Sequence, residues 1–352
     1  MIIYYLIFFT AFIIMFLNDI NKSIELKKFN DFLKIIFLFF LFIFVALRYK
    51  VGSDWNSYND LFFMENLHSK NYEIGYSIVL QISKYLNINI FGLNIFAASV
   101  FFLGFFLLFK DEEYFWFAIN LSLPYLFLVV AMGYTRQSIA IGFGMIIFKS
   151  FIKNNKFNQL FFLFLALMFH YTSIIYSLFI FYNIKSLLFK FLTVLAVVFL
   201  LFFISDQFSN LSRFYYYYLA VGKDSFGGVP RMFLASTPLI FYLLKFHEIK
   251  NSNYNNLFFM YLIIILFLWV FVFISSTSAD RILLYILPLK IYLFLKFLNF
   301  VRNKYLFIYS FTFIFILSFH IHSLFSISFN KDSIPYNNLL IIKEYDKSIF
   351  AK

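Results

Sequence analysis

Long, continuous apolar runs recur from residue 2 to about residue 325, separated by short polar connections, and few folds accept that pattern. Most runs are close to the length that crosses roughly 30 Å of hydrocarbon at about 1.5 Å per residue. In lipid every backbone polar group has to be satisfied within the protein, which leaves helices or a closed β-barrel. Barrel strands would alternate in polarity over about ten residues, whereas these runs are unbroken. With 63% hydrophobic and only 13% charged residues, the chain also lacks the polar material to wrap a core against water, since soluble domains carry about a quarter charged residues. The sequence therefore specifies an all-α polytopic membrane protein.

The runs place spans near 2–17, 33–47, 89–109, 114–131, 135–150, 157–169, 171–184, 189–204, 231–246, 255–274, 281–299 and 304–325, about twelve helices within a range of 11 to 13. Residues 2–17 have no basic leader and no small-residue cleavage site, and read as a retained helix. Segments 157–169 and 171–184 are each short, and form either one helix through His170 or two that meet there. Segment 74–86 has apolar positions at helical spacing interrupted by Ser77, Gln81, Ser83 and Lys84, and reads as an amphipathic helix at or dipping into the interface. The whole chain, 1–352, is expected to be one integral-membrane domain, with outer loops at 48–88 and 205–230.

Charge orients this layout. Lys22, Lys27, Lys28, Lys34, Lys110, Lys149, Lys153, Lys156 and the later inner-end residues through Lys304 outnumber the basic residues of the longer outer connections, fifteen to nine. Lys and Arg accumulate on the cytoplasmic side, so both termini are expected outside; four further Lys in 326–352 weigh against this, and an eleven-span version puts that tail inside. The net charge of +12 is read as topology and attraction to lipid, not as a nucleic-acid surface. Five of the six Arg (48, 136, 213, 231, 281) fall at outer helix ends, where an always-charged planar fork suits phosphate or carboxylate.

Several chemistries drop out. Without cysteine there is no disulfide, thiolate nucleophile or thiolate-bound metal. His320 and His322 alone are close in sequence, and an i,i+2 pair on a helix points to different faces, which argues against a metal site. No P-loop, GxGxxG or repeat period is present, and no cofactor is expected.

The polar stretch Arg48–Tyr76 carries most of the remaining information. Gly52, Ser53 and Asp54 favour a turn, with Trp55 and Tyr58 near the membrane surface. Aromatic faces beside carboxylates suit sugars, although Trp and Tyr belong to any membrane interface. Gly133–Tyr134–Thr135–Arg136–Gln137 opens a helix; an Arg there opposes the helix dipole, but with free amides it makes an anion clamp. His170 is a candidate because ionisable residues within a membrane are costly, the plainer reading being a hydrogen bond to a neighbouring helix. Arg231 follows Gly227–Gly228–Val229–Pro230, and Asp280–Arg281 follows SSTSA, where Asp280 reads as the N-cap of a salt-bridged helix start.

These pieces come in an order that resembles the EpsG family of exopolysaccharide proteins, related to the Wzy-type O-antigen and capsule polymerases. R-x-x-VG-x-D-x-x-x-Y is Arg48, Val51, Gly52, Asp54 and Tyr58; E-x-GY is Glu73, Gly75 and Tyr76; RQ-x-x-A is Arg136, Gln137 and Ala140; FH-x-[ST] is Phe169, His170 and Thr172 with Ser173. The resemblance is firm over about 45–175 and looser beyond. It implies a GT-C-like, multi-pass glycosyltransferase of the bacterial cytoplasmic membrane that polymerises undecaprenyl-diphosphate-linked repeat units at the outer face. Its partners would be those lipid-linked glycans and membrane lipid, with a chain-length regulator and a flippase as candidates. On this reading Arg48 and Arg136, with Arg231 or Arg281, bind diphosphate; Gln137 and Asp280 are further substrate-binding residues; Asp54, Glu73 or His170 supplies the base, Asp54 being in part structural and organising Arg48 or the loop; and Trp55, Tyr58 and Tyr76 line the glycan path. A transporter or flippase for lipid-linked oligosaccharide is the competing class. Against it stand the lack of internal symmetry and the placement of charge at helix ends, Lys290 excepted.

Overall fold

A computed structural model describes residues 1–20, 24–62, 72–183, 228–325 and 331–340. Its helices are α1 (Ile2–Ile20), α2 (Ile24–Ala46), α3 (Trp55–Phe62), α4 (Ile74–Tyr85), α5 (Asn89–Phe109), α6 (Phe115–Ser122), α7 (Thr135–Ile152), α8 (Lys156–Phe169), α9 (Ser177–Asn183), α10 (Gly228–Ala235), α11 (Thr237–Leu244), α12 (Phe246–Lys250), α13 (Asn255–Ile274), α14 (Ser276–Phe297) and α15 (Lys304–Phe325). A π-helix, Leu123–Ala131, continues α6, and a 3-10 helix, Tyr171–Tyr176, precedes α9. No strand occurs among the described residues, and five helices there are long and apolar enough to cross a membrane, with five shorter apolar ones beside them. The protein is an all-α polytopic membrane protein. The expected span 189–204 and most of the loop 205–230 lie outside the described residues.

The described chain divides into two compact units, Met1–Tyr171 with Tyr309–Lys352, and Thr172–Ile308. In the first, α5 and α7 cross with their backbones nearly touching: a Cβ on Gly104 would stand 2.2 Å from the Gly142 carbonyl oxygen. Small residues serve this purpose between membrane helices, where close packing replaces the hydrophobic drive. Helix α8 packs on α7, and α4 packs on α5 and α8. Helix α4 buries Gly75, Tyr76, Leu80 and Ser83, yet its other face exposes Ile74, Ile78 and Ile82, an apolar stripe at i, i+4, i+8.

The ends of this unit differ. Lys34 stands in α2 and Arg48 two residues past its end, while α7 has Arg136 in its first turn and Lys149 in its last, so both arginines share one end and the lysines the other. At the lysine end Lys149 binds Asp111 at 3.0 Å, and Trp116 Nε1 donates to Asn30 at 2.7 Å. At the arginine end the chain near its C-terminus returns as a strap. Arg48 and Asn338 form an antiparallel bridge, the Tyr49 amide donates to Asn337, and the Leu339 amide donates to Leu47. The Tyr336 hydroxyl donates to the Phe44 carbonyl at 2.6 Å, and its ring stacks on Phe44 at 3.9 Å. Tyr4 donates to the Ser333 carbonyl at 2.7 Å. The start of α1, the end of α2 and residues 332–339 therefore lie together at the arginine end of this unit.

In the second unit α10, α13 and α14 pack together. Helix α14 starts earlier than expected. Ser275, not Asp280, is its N-cap, and the Ser275 side chain accepts from the Ser278 amide. A serine oxygen in the SSTS run caps the first turn, which leaves Asp280 inside the helix and able to reach across to another one. The expected helix at 231–246 likewise begins at Gly228, breaks at Ser236 and ends at Leu244. Lys290 is buried within α14, its ammonium 5.8 Å from the Phe294 ring centroid.

Candidate functional site

The turn after α2 depends on glycine. Gly52 has φ +104°, and a Cβ there would lie 2.2 Å from the Met132 carbonyl oxygen, so only glycine fits without strain. The Gly52 amide donates to Asp332 of the strap at 2.7 Å, and the Asp54 amide donates to Gly133 at 3.2 Å. Ser53 Oγ donates to the same Gly133 carbonyl at 2.9 Å. The V-G-S-D segment is thereby fixed against the residues that launch α7. Asp54 then opens α3, a short helix within what the sequence suggests is an outer loop.

Arg48 is 1% exposed. Its guanidinium donates to the Val45 carbonyl at 2.8 Å, the Val51 carbonyl at 3.1 Å and Thr135 Oγ1 at 3.1 Å. It caps the last carbonyls of α2, closes the turn and ties both to the first residue of α7. Burial lowers its pKa to about 10, opposed by nearby Asp54, so it remains charged at neutral pH.

Arg136 is built differently. Its side chain is 28% exposed while Glu73, its partner, is 6% exposed, with Nη1 and Oε2 2.7 Å apart. Its Nε donates to the Tyr58 hydroxyl at 2.9 Å, and that hydroxyl is in turn hydrogen-bonded to Asp54. Burial pushes the Tyr58 phenol up, so it stays protonated and donates to the carboxylate. Three tyrosine rings surround the guanidinium carbon, Tyr72 at 5.3 Å, Tyr76 at 5.7 Å and Tyr58 at 5.9 Å. Two of the five guanidinium N–H groups are engaged among the described residues.

Glu73 precedes α4 with extended backbone and makes no side-chain cap to that helix; its carboxylate turns to Arg136 instead. Two residues on, Gly75 lets α4 sit against the end of α8, where a Cβ would meet the Met168 carbonyl oxygen at 2.9 Å and the Phe169 ring at 3.0 Å. That contact brings E-x-GY to F-H. His170 leaves α8 in extended backbone (φ −160°, ψ 118°), donating its amide to Ala166, and is half-buried. Two helices meet there, so a single helix through His170 is excluded. The first three motifs and the Phe169–His170 pair of the fourth converge at the arginine end of the first unit.

The convergence matches a comparison with known families: residues 31–338 match the EpsG family. The chain belongs to the EpsG family. Membership brings a Wzy-like, glycosyltransferase-type polysaccharide polymerase role, and the match extends well past the 45–175 segment in which the motifs stand. No curated protein and no solved structure matches the chain.

The other expected site residues of this EpsG protein have partners of their own or serve packing. Gln137 is 5% exposed within α7. Arg231 and Asp280 pair with each other in the second unit, at 2.5 and 2.6 Å, and join α10 to α14; the pairing of Asp280 is with Arg231, one helix away. Arg281 is exposed. Trp55 is 2% and Tyr76 0% exposed. Trp55 Nε1, Asn59 Oδ1 and Tyr76 Oη are buried with no hydrogen-bond partner among the described residues.

Sequence reasoning missed Tyr72, Thr135 and Asn59. Tyr72 and Tyr76 flank the start of α4 four residues apart, a spacing that places two rings on one side, and Thr135 is the residue next to Arg136. Asn59 is one turn after Trp55, on the inner face of a helix too short to be recognised as one.

Proposed function

We propose that this EpsG protein polymerises undecaprenyl-diphosphate-linked oligosaccharide repeat units into a surface polysaccharide at the outer face of the bacterial cytoplasmic membrane. The observation that carries the reading is the Arg136 centre: a partly exposed guanidinium, oriented by Glu73 and Tyr58, within three tyrosine faces. Transfer of a glycan from a lipid diphosphate needs no nucleotide and no metal in principle. It needs the charge developing on the leaving diphosphate to be met by fixed donors, and a base within reach of the acceptor hydroxyl.

The two arginines divide this work. Arg136 has donors to offer, whereas Arg48 spends its own on Val45, Val51 and Thr135, and so positions the start of α7. Asp54, Glu73 and His170 are the groups from which the base is drawn. Tyr72, partly exposed, offers a face to a sugar ring, whereas Trp55, Tyr58 and Tyr76 are buried and shape the site instead of lining a glycan path. The lysine end supports the orientation, since it is the end expected to face the cytoplasm. The partners are lipid-linked glycans, with a flippase supplying them and a chain-length regulator limiting the product.

The test uses purified protein in detergent with synthetic undecaprenyl-diphosphate-linked repeat units. A ladder of elongated products supports polymerase activity. Intact protein that leaves the repeat units unjoined contradicts it and points to a carrier of the same cargo, which forms no product in detergent.

A further inference from the structure

We infer that Glu73 is the general base of the polymerase, and that it is held idle by Arg136 until a substrate diphosphate takes its place. The inference rests on the proposed function, and deepens it by assigning a role to one carboxylate.

Charge balance at the centre motivates it. Arg48 and Arg136 bring two positive charges, and Asp54 and Glu73 bring two negative ones, in a cluster linked through Tyr58 and the turn at Gly52. Among these four groups the charges cancel, so a diphosphate cannot be held by them merely by adding to what is present. It has to compete for a guanidinium that already has a partner. Arg48 cannot be that guanidinium, being enclosed with its donors on backbone and Thr135. Arg136 can, because its fork is the exposed member of the pair.

The two anionic partners of the tyrosine–arginine relay differ in how they would respond. Asp54 accepts from Tyr58, stands two residues after Gly52 at the turn, and has its backbone amide bound to Gly133. The Glu73 carboxylate is held by the Arg136 guanidinium, and it caps no helix. A diphosphate that takes the fork therefore releases Glu73, leaving a carboxylate beside a second anion. Released from the guanidinium, the carboxylate oxygens are open to accept the hydroxyl proton. The reaction balances: the acceptor hydroxyl oxygen bonds to the anomeric carbon of the donor, the anomeric carbon–phosphate oxygen bond breaks with its electron pair leaving on the diphosphate, and the hydroxyl proton passes to Glu73 and then to water.

This predicts opposite signs for binding and turnover. In Glu73→Gln the competitor for Arg136 has lost its charge, so radiolabelled undecaprenyl diphosphate should bind in detergent at least as tightly as to wild type. Elongation at saturating substrate should fall by about 10²-fold or more, the usual range for a lost base. Glu73→Asp keeps the charge at shorter reach; it should bind like wild type and elongate at an intermediate rate, and it serves where the Gln variant does not fold. Near wild-type turnover in Glu73→Gln overturns the inference. So does a parallel loss of binding and turnover, which would make Glu73 a structural prop for Arg136. Failure of the underlying function reads differently: wild-type protein would then bind the lipid diphosphate yet leave the repeat units unjoined, whatever stands at position 73.

Discussion

Replacing Arg136 with Lys keeps a positive charge and removes the fork. In the structure the guanidinium makes two directed bonds, to Tyr58 at 2.9 Å and Glu73 at 2.7 Å, while its plane lies among three rings 5.3 to 5.9 Å away. An ammonium reaching Glu73 gives up the bond to Tyr58, and a hydrogen bond involving a charged group contributes about 1.5–3 kcal/mol. The stacked face adds about 0.5–1 kcal/mol at a partly exposed position. Together they come to about 2–4 kcal/mol, which at about 1.4 kcal/mol per decade corresponds to a roughly 30- to 900-fold fall in rate if the loss is felt in the transition state. The assay is the initial rate of repeat-unit joining by purified protein, read as ladder growth on gels, with thermal unfolding of the same preparation as control. An Arg136→Lys protein that unfolds near the wild-type temperature and elongates within about threefold of the wild-type rate would refute the reasoning, because charge alone would then suffice.

Other outcomes follow from the same geometry. Tyr58→Phe removes the hydroxyl that links Arg136 to Asp54; elongation should fall about tenfold or more with protein level preserved, as expected for about 1.4 kcal/mol or more of lost orientation, and unchanged turnover would show that the relay is not needed. Gly52→Ala places a methyl 2.2 Å from the Met132 carbonyl at φ +104°, a strain of about 1–3 kcal/mol before the clash is counted; membrane protein level and melting temperature should both drop. Tyr336→Ala deletes a stack at 3.9 Å and a bond to Phe44 and, Tyr336 being half-buried, should destabilise the protein by about 1–3 kcal/mol, whereas a wild-type melting temperature would mean the strap is not clasped in solution. Asp280→Asn breaks the bidentate pair with Arg231 and should lower the melting temperature through the second unit while leaving undecaprenyl diphosphate binding at Arg136 intact.

The helical, membrane-spanning architecture was legible because it depends on composition and run length, and α5 and α15 fall where the hydropathy places them. The arginine and lysine ends were legible for a similar reason: they reflect one-dimensional spacing along α2 and α7. The division of labour between Arg48 and Arg136 was not. Both stand at helix ends in similar motifs, and only the folded chain shows that one meets backbone carbonyls and the other a carboxylate and a phenol. The Asp280 error has the same origin, since a cap and a cross-helix ion pair both call for an aspartate near a helix start. The strap was hidden because its contacts are main-chain bonds between residues nearly 300 apart in sequence, and main-chain pairing leaves little trace in side-chain identity.

Everything proposed for this protein turns on Arg136 receiving the diphosphate of a lipid-linked glycan. A cryo-EM map of the protein with a synthetic undecaprenyl-diphosphate-linked repeat unit tests that most directly. The expected result is phosphate density within hydrogen-bonding distance of the Arg136 guanidinium, with the Glu73 carboxylate displaced from it. Phosphate density at Arg231 or elsewhere, with the Arg136–Glu73 pair still closed, would contradict it.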